Sequence, residues 1–397
     1  MSLRYIFFFV VGIDALILFT QTTQLSISYE EAKILYGDPS FLQLLSKLSL
    51  FLFGWSDFGL RFMMIILHIL SVILLYEISK EYIKTQRNRL LLLLVFILLP
   101  GVASSAVMLN SAGVIIFGLL LYIYLSKRVK APYSYLLLFL YAIITPGFVY
   151  LFLSLSIYAV YKKERFFALY GLVLYFFSSY IYGFDASGSP SGHFLDTLGV
   201  YSAIFTPIIF VYLVYTLYRR FLTDKIDLLW YVSATGFLFS MLLSFRQSIT
   251  FEHFAPYLIV ALPLAAQTFI YSYNVRLKEH RKAYKMAFVL SLVFLTLNSL
   301  AVFFNKELYH FVQNPKKHFA YDFHVAKELA FSLKEQGYYC VSTDEKMQLR
   351  LAFYGIQKCE KRSLHESITV SDELETVTIR YRNTPLYTYS VTNVNKN

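Results

Sequence analysis

Two adjacent carboxylates, Glu30 and Glu31, follow the first long apolar run and are the clearest candidates for acid–base chemistry in the sequence. A carboxylate within hydrogen-bond reach of a hydroxyl can take its proton as a general base. Neighbouring side chains on a helix diverge by ~100°, so only one of the pair would point into a given cavity. The plainer reading is two charges at a helix start, favoured there by the macrodipole. Asp38 and Asp57 lie in the same segment. Asp38 precedes Pro39 as turn residues do, and Asp57 stands where it would cap or precede the second apolar run. Arg61 either snorkels at a membrane boundary or holds an anion. Later in the chain, Asn110, Arg246, Glu252 and His253 stand at the ends of apolar runs. Arg246 and His253 suit a phosphate, and Glu252 suits a ligand role, against the plain alternative of solvated interface groups. No glycine-rich nucleotide loop, zinc spacing or Ser-His-Asp arrangement stands out.

The elements that must hold these residues are membrane helices. Only 15% of the 397 residues are charged and 57% are hydrophobic, whereas a soluble domain is about 25% charged. The net charge of +11 does not indicate nucleic acid, because the basic residues fall in short clusters between apolar runs. A bilayer core needs ~20 apolar helical residues, and that length predicts about eleven spans near 4–21, 60–78, 90–106, 109–125, 133–145, 147–161, 166–183, 198–217, 227–245, 255–273 and 286–304. The first reads as an uncleaved span and not as a signal peptide. Alternate loops before the tail hold nineteen Lys and Arg against four, so the positive-inside rule places the N-terminus in the cytoplasm and the tail outside. Glu30, Glu31, Asp38, Asp57 and Glu252 then all fall on the outer side. Asp14 and His68, inside spans, read as interhelical hydrogen-bonding groups.

The first external loop, about 22–59, predicts two short amphipathic helices, Tyr29 to Tyr36 and Phe41 to Phe53, parted by Gly37-Asp38-Pro39-Ser40. The second would lie in the membrane interface. From residue 305 the composition becomes that of a small α/β domain. Helices are expected at Tyr321 to Gln336 and Asp344 to Tyr354. Strands are expected at Tyr338 to Ser342, Gly355 to Cys359, Ile368 to Val370, Thr376 to Tyr381 and Leu386 to Val391. Cys340 and Cys359 are either a disulfide, which an oxidising compartment permits, or two buried thiols. The domains are therefore 1–304, transmembrane, and 305–397, extracytoplasmic.

The order of these features resembles the GT-C superfamily of membrane glycosyltransferases, and most closely its protein mannosyltransferase and aminoarabinose lipid A transferase branch. The resemblance is carried by Tyr29-Glu30-Glu31-Ala32, by Asp38-Pro39 and by the run from Phe51 to Arg61. Leu98-Leu99-Pro100 with Asn110, the Thr145-Pro146-Gly147 turn, and Glu252-His253-Phe254-Ala255-Pro256-Tyr257-Leu258 before Leu262-Pro263 add to it. It covers most of the chain through short motifs. It implies a mainly α, polytopic protein of a bacterial inner membrane. Such a protein transfers a sugar from a polyprenyl-phosphate donor to an envelope glycolipid, glycan or protein acceptor on the outer side.

Carried over residue by residue, Glu30 takes the place of the family's catalytic Asp and Glu31 that of the following Glu. Arg61, Arg246 and His253 would serve the donor phosphate, with Arg61 alternatively architectural. A divalent metal, with Glu31 as a ligand, is the other way to stabilise the leaving phosphate. The chain departs from the family pattern at three places. Glu30 replaces Asp, Asn110 stands at a second acidic position, and Asp38 stands where a lysine often precedes the proline. These departures also admit a non-catalytic relative acting in envelope glycan assembly. A lipid-linked sugar transporter is disfavoured by the scarcity of charges within spans and by the lack of an inverted repeat.

Overall fold

The structure, a computed structural model, describes residues 3–183, 192–310, 318, 320–366, 375–381 and 384–393. It is mainly helical, with one three-stranded sheet near the C-terminus. The chain divides into two compact units, one of Met1–Phe19 with Phe62–Val302, the other of Thr20–Arg61 with Phe303–Asn397. The loop after the first apolar helix thus groups with the tail and not with the spans.

In the first unit every expected apolar run is helical. Among the described residues, four helices are long and apolar enough to cross a membrane: Tyr5–Gln24, Asp57–Tyr82, Phe251–Val275 and Lys278–Phe303. Six result if each of two bent pairs counts as one span. The protein is an integral membrane protein, and two of the expected spans, 90–106 and 198–217, are bent. Phe194–Phe205 and Pro207–Leu222 meet at 106°, and Gln86–Leu98 and Pro100–Val107 at 63°. Proline explains both, because it disfavours helical geometry in the residue before it. Leu99 is extended (φ −62°, ψ 125°), and Thr206 takes a positive φ of 65°. Asp14 and His68 bond each other, Nε2 to Oδ2 at 2.8 Å, and the imidazole stacks on Phe96. Two groups that are costly in lipid therefore satisfy one another.

The second unit begins with the two loop helices, Tyr29–Tyr36 and Phe41–Phe53. In the second of these, Gln43, Ser46 and Ser49 are buried, while Leu44, Leu48, Phe51 and Leu52 are exposed. The inward polar groups are hydrogen-bonded, Gln43 Nε2 to the Leu35 and Gly37 carbonyls and Ser49 Oγ to that of Gly59. An apolar outer face and a bonded polar inner face fit a helix that meets lipid. Gly59 permits this packing, since a Cβ there would lie 2.1 Å from the Gly54 carbonyl oxygen.

The tail helices are Ala326–Glu335, after a 3₁₀ turn at Tyr321–His324, and Glu345–Phe353, capped by Asp344. Ala326, Leu329, Ala330 and Leu333 form the buried stripe that the periodicity predicts. Three strands form an antiparallel sheet in the order β1-β3-β2: β1 (Arg362–Glu366), β2 (Glu375–Tyr381) and β3 (Thr384–Asn393). The strands expected at Tyr338 to Ser342 and Gly355 to Cys359 are reduced to isolated bridges, Cys340 with Gln357 and Ser342 with Ser363. β1 was not expected. The segment Ile368 to Val370 lies outside the described residues.

Cys340 and Cys359 form a disulfide with Cα atoms 5.5 Å apart, closing a loop of sequence separation 19. Closing such a loop restricts the unfolded chain by about 3 kcal/mol. A Cys340→Ser, Cys359→Ser variant should therefore unfold at lower denaturant in a detergent-solubilised melt. An unshifted midpoint would show that the bond does not constrain the unfolded chain.

Candidate functional site

Glu30 and Glu31 open the Tyr29–Tyr36 helix, whose start is fixed by Ser28. The Ser28 hydroxyl accepts from the Glu31 amide, and Glu31 Oε2 accepts from the Ser28 amide, a reciprocal capping box. This box turns Glu31 inward and leaves Glu30 exposed. The Glu31 carboxylate then meets Arg61, Nε to Oε1 at 2.7 Å and Nη2 to Oε2 at 2.6 Å. The rest of the guanidinium donates to the carbonyls of Thr22, Leu25 and Ser26. Both side chains are buried, at 0% and 2% exposure.

Glu31 and Arg61, expected as a catalytic acid or metal ligand and a phosphate cation, are thus engaged with each other. A planar guanidinium suits this forked pairing. The pair fixes the 22–28 segment around the start of the Asp57–Tyr82 helix. Among the described residues, no group of three His, Cys, Asp or Glu side chains gathers as metal ligands.

Asp57 is also buried, and it is structural here. Its carboxylate accepts from the Tyr354 hydroxyl and pairs with Lys327 Nζ at 2.9 Å. Tyr354 Oη accepts from the Ile27 amide, and Arg350 Nε donates to the Ile27 carbonyl. Burial and the neighbouring Asp57 charge hold the Tyr354 phenol well above its ordinary range. Burial pushes the Arg350 guanidinium down, against the pull of Asp322. Arg350, Lys327 and Tyr354 were not singled out in the sequence. Arg350 carried a signal, since it lies with Met347 and Leu351 on the buried face of its helix. Asp38 is an exposed turn residue.

In the first unit, Asn110 and Glu252 converge on one helix start. Asn110 Oδ1 accepts from the Gly113 amide, capping Ser111–Ser126. Glu252 Oε2 accepts from the Ser111 amide at 3.0 Å and its hydroxyl at 2.7 Å. A carboxylate is favoured at a helix N-terminus, and Glu252 stays partly open to solvent. His253 lies against the Thr145-Pro146-Gly147 turn, with its Cδ2 3.4 Å from where a Cβ on Gly147 would stand. Tyr257 Oη donates to the Gly147 carbonyl at 2.6 Å. Arg246 follows the Leu228–Ser244 helix as an exposed residue.

The fold joins apolar helices long enough to cross a membrane with a small sheet near the C-terminus. Among solved structures it matches the crystal structure of ArnT from Cupriavidus metallidurans in the apo state, with a TM-score of 0.56, over 98% of each chain at 12% identity. No protein-family model matches the sequence. No curated protein matches it either.

Proposed function

We propose that the protein is a membrane glycosyltransferase that moves a sugar from a polyprenyl-phosphate donor to an envelope glycolipid, glycan or protein acceptor. The observation that carries this reading is the fold, shared with ArnT along nearly the whole of both chains. About eleven spans, a cytoplasmic N-terminus and an extracytoplasmic tail in a bacterial inner membrane belong to the same proposal. The disulfide supports it, being at home in an oxidising compartment.

Within this reading Glu30 is the general base. It is the acid of the pair that faces solvent, while Glu31 and Arg61 anchor the helix that carries it. Abstracting the acceptor proton raises the nucleophilicity of its oxygen as the bond from sugar to phosphate breaks. The leaving phosphate requires a cation to stabilise its charge. That role is assigned to Arg246 and His253.

A strain lacking the gene tests the reaction. Mass spectrometry of its envelope glycolipids and glycoproteins should show one acceptor class short of one sugar, restored by the intact gene. Unaltered glycolipids and glycoproteins would instead support a non-catalytic relative. That second reading is favoured by Asn110 standing at the second acidic position.

A further inference from the structure

The second unit holds a cavity of about 330 Å³ that none of the roles above uses. Ser26, Lys306, His324, Glu328, Phe331 and Glu335 are among the residues lining it. Its size falls in the range of small-ligand sites, about 300–1,000 Å³. The charges at its wall are balanced. Lys306 pairs with Glu328 at 3.5 Å, and Lys327, which also lines it, is committed to Asp57. Such a lining offers an anion no free positive field.

What it offers is hydrogen-bond acceptors. His324 Nε2 meets Asn305 Oδ1 at 2.8 Å, an atom that can only accept, so Nε2 carries the proton and Nδ1 is a bare lone pair. Burial, with Lys306 and His318 nearby, pushes this imidazole down to about 3, which keeps it neutral. His324 Nδ1 and Ser26 Oγ are buried, and neither has a hydrogen-bond partner among the described residues. Buried polar atoms are ordinarily bonded, and both residues line the cavity. The Glu335 carboxylate adds a further acceptor at the wall. Phe331, 63% exposed, adds an apolar plate. Acceptors beside an aromatic face match a ligand rich in hydroxyl donors whose ring faces are C–H surfaces.

We propose that this cavity binds one or two sugar rings of a glycan, hydroxyls donating to its acceptors and a ring face resting on Phe331. This rests on the proposed function only in taking that glycan to be part of the acceptor.

Saturation-transfer NMR on the full-length protein, in a zwitterionic detergent without a sugar headgroup, tests it with cellobiose and N,N′-diacetylchitobiose as probes. Transfer to the ring protons of at least one disaccharide is expected. It should fall to background in Phe331→Ala and in Glu335→Gln, both at exposed positions, and persist in a Lys47→Ala control. No transfer from either disaccharide overturns the proposal, as does transfer that survives in both variants. Sugar transfer with an acceptor KM unchanged in Phe331→Ala would retire the cavity's acceptor role and leave the reaction standing. Disaccharide binding without any transfer activity would retire the reaction and leave the cavity.

Discussion

Replacing Arg61 with alanine should remove about 3–5 kcal/mol of stability, because it leaves the Glu31 carboxylate buried without its partner. The geometry makes this the most damaging single change we expect. Arg61 is fully buried and also ties down three backbone carbonyls of residues 22–26. Little folded protein should survive extraction, as read by size-exclusion chromatography and limited proteolysis. A paired change to apolar residues, Glu31→Met with Arg61→Met, separates an anchor from a phosphate ligand. Buried ion pairs can often be exchanged for apolar pairs of similar volume without loss. An anchor predicts that the double variant regains part of the fold, three carbonyls still lacking their donor, and sugar transfer in proportion to the folded protein. Recovery of the fold with transfer still absent would return Arg61 or Glu31 to the reaction.

Glu30→Gln should behave in the opposite way. The side chain is exposed and no shift of the fold is expected, so melting should match the parent. Removing a general base lowers turnover by about 10²–10⁴-fold. The measurement is sugar transfer in membranes from a deletion strain complemented with the variant, followed by mass spectrometry. Full activity in Glu30→Gln would exclude Glu30 and turn attention to Glu252. That residue is another solvent-facing acid set at a helix start.

How far the sequence discloses all this depends on the physics at each place. The apolar runs are legible because lipid demands a long uninterrupted stretch, and each is helical. Their straightness is not legible from hydropathy. Thr206-Pro207 turns the chain by 106° within a run that hydropathy leaves continuous. The helix at Tyr29 is legible as an amphipathic segment, but which acid faces inward follows from the Ser28–Glu31 capping box that the fold reveals. Side-chain partners were harder to see, because they join distant stretches. Asp14 and His68 were each read as interhelical groups, but only the fold shows that they are 2.8 Å apart. Asp57 read as a cap, and its true partners, Lys327 and Tyr354, come 270 and 297 residues later. Both cysteines were visible as a possible pair, but the strands thought to bring them together are single bridges. β1 escaped notice because Arg362–Glu366 alternates too weakly to mark a strand.

The Glu31–Arg61 clamp also has a consequence for how the protein is made. Residues 20–61 are synthesised early, yet the Ile27 and Asp57 groups beside the clamp find their mates on Lys327, Arg350 and Tyr354. Every intervening helix must leave the ribosome before those mates exist. The segment therefore stays incompletely bonded until the helices that carry Lys327, Arg350 and Tyr354 have been made, and a chain truncated before Arg350 should be cleaved more readily by proteases.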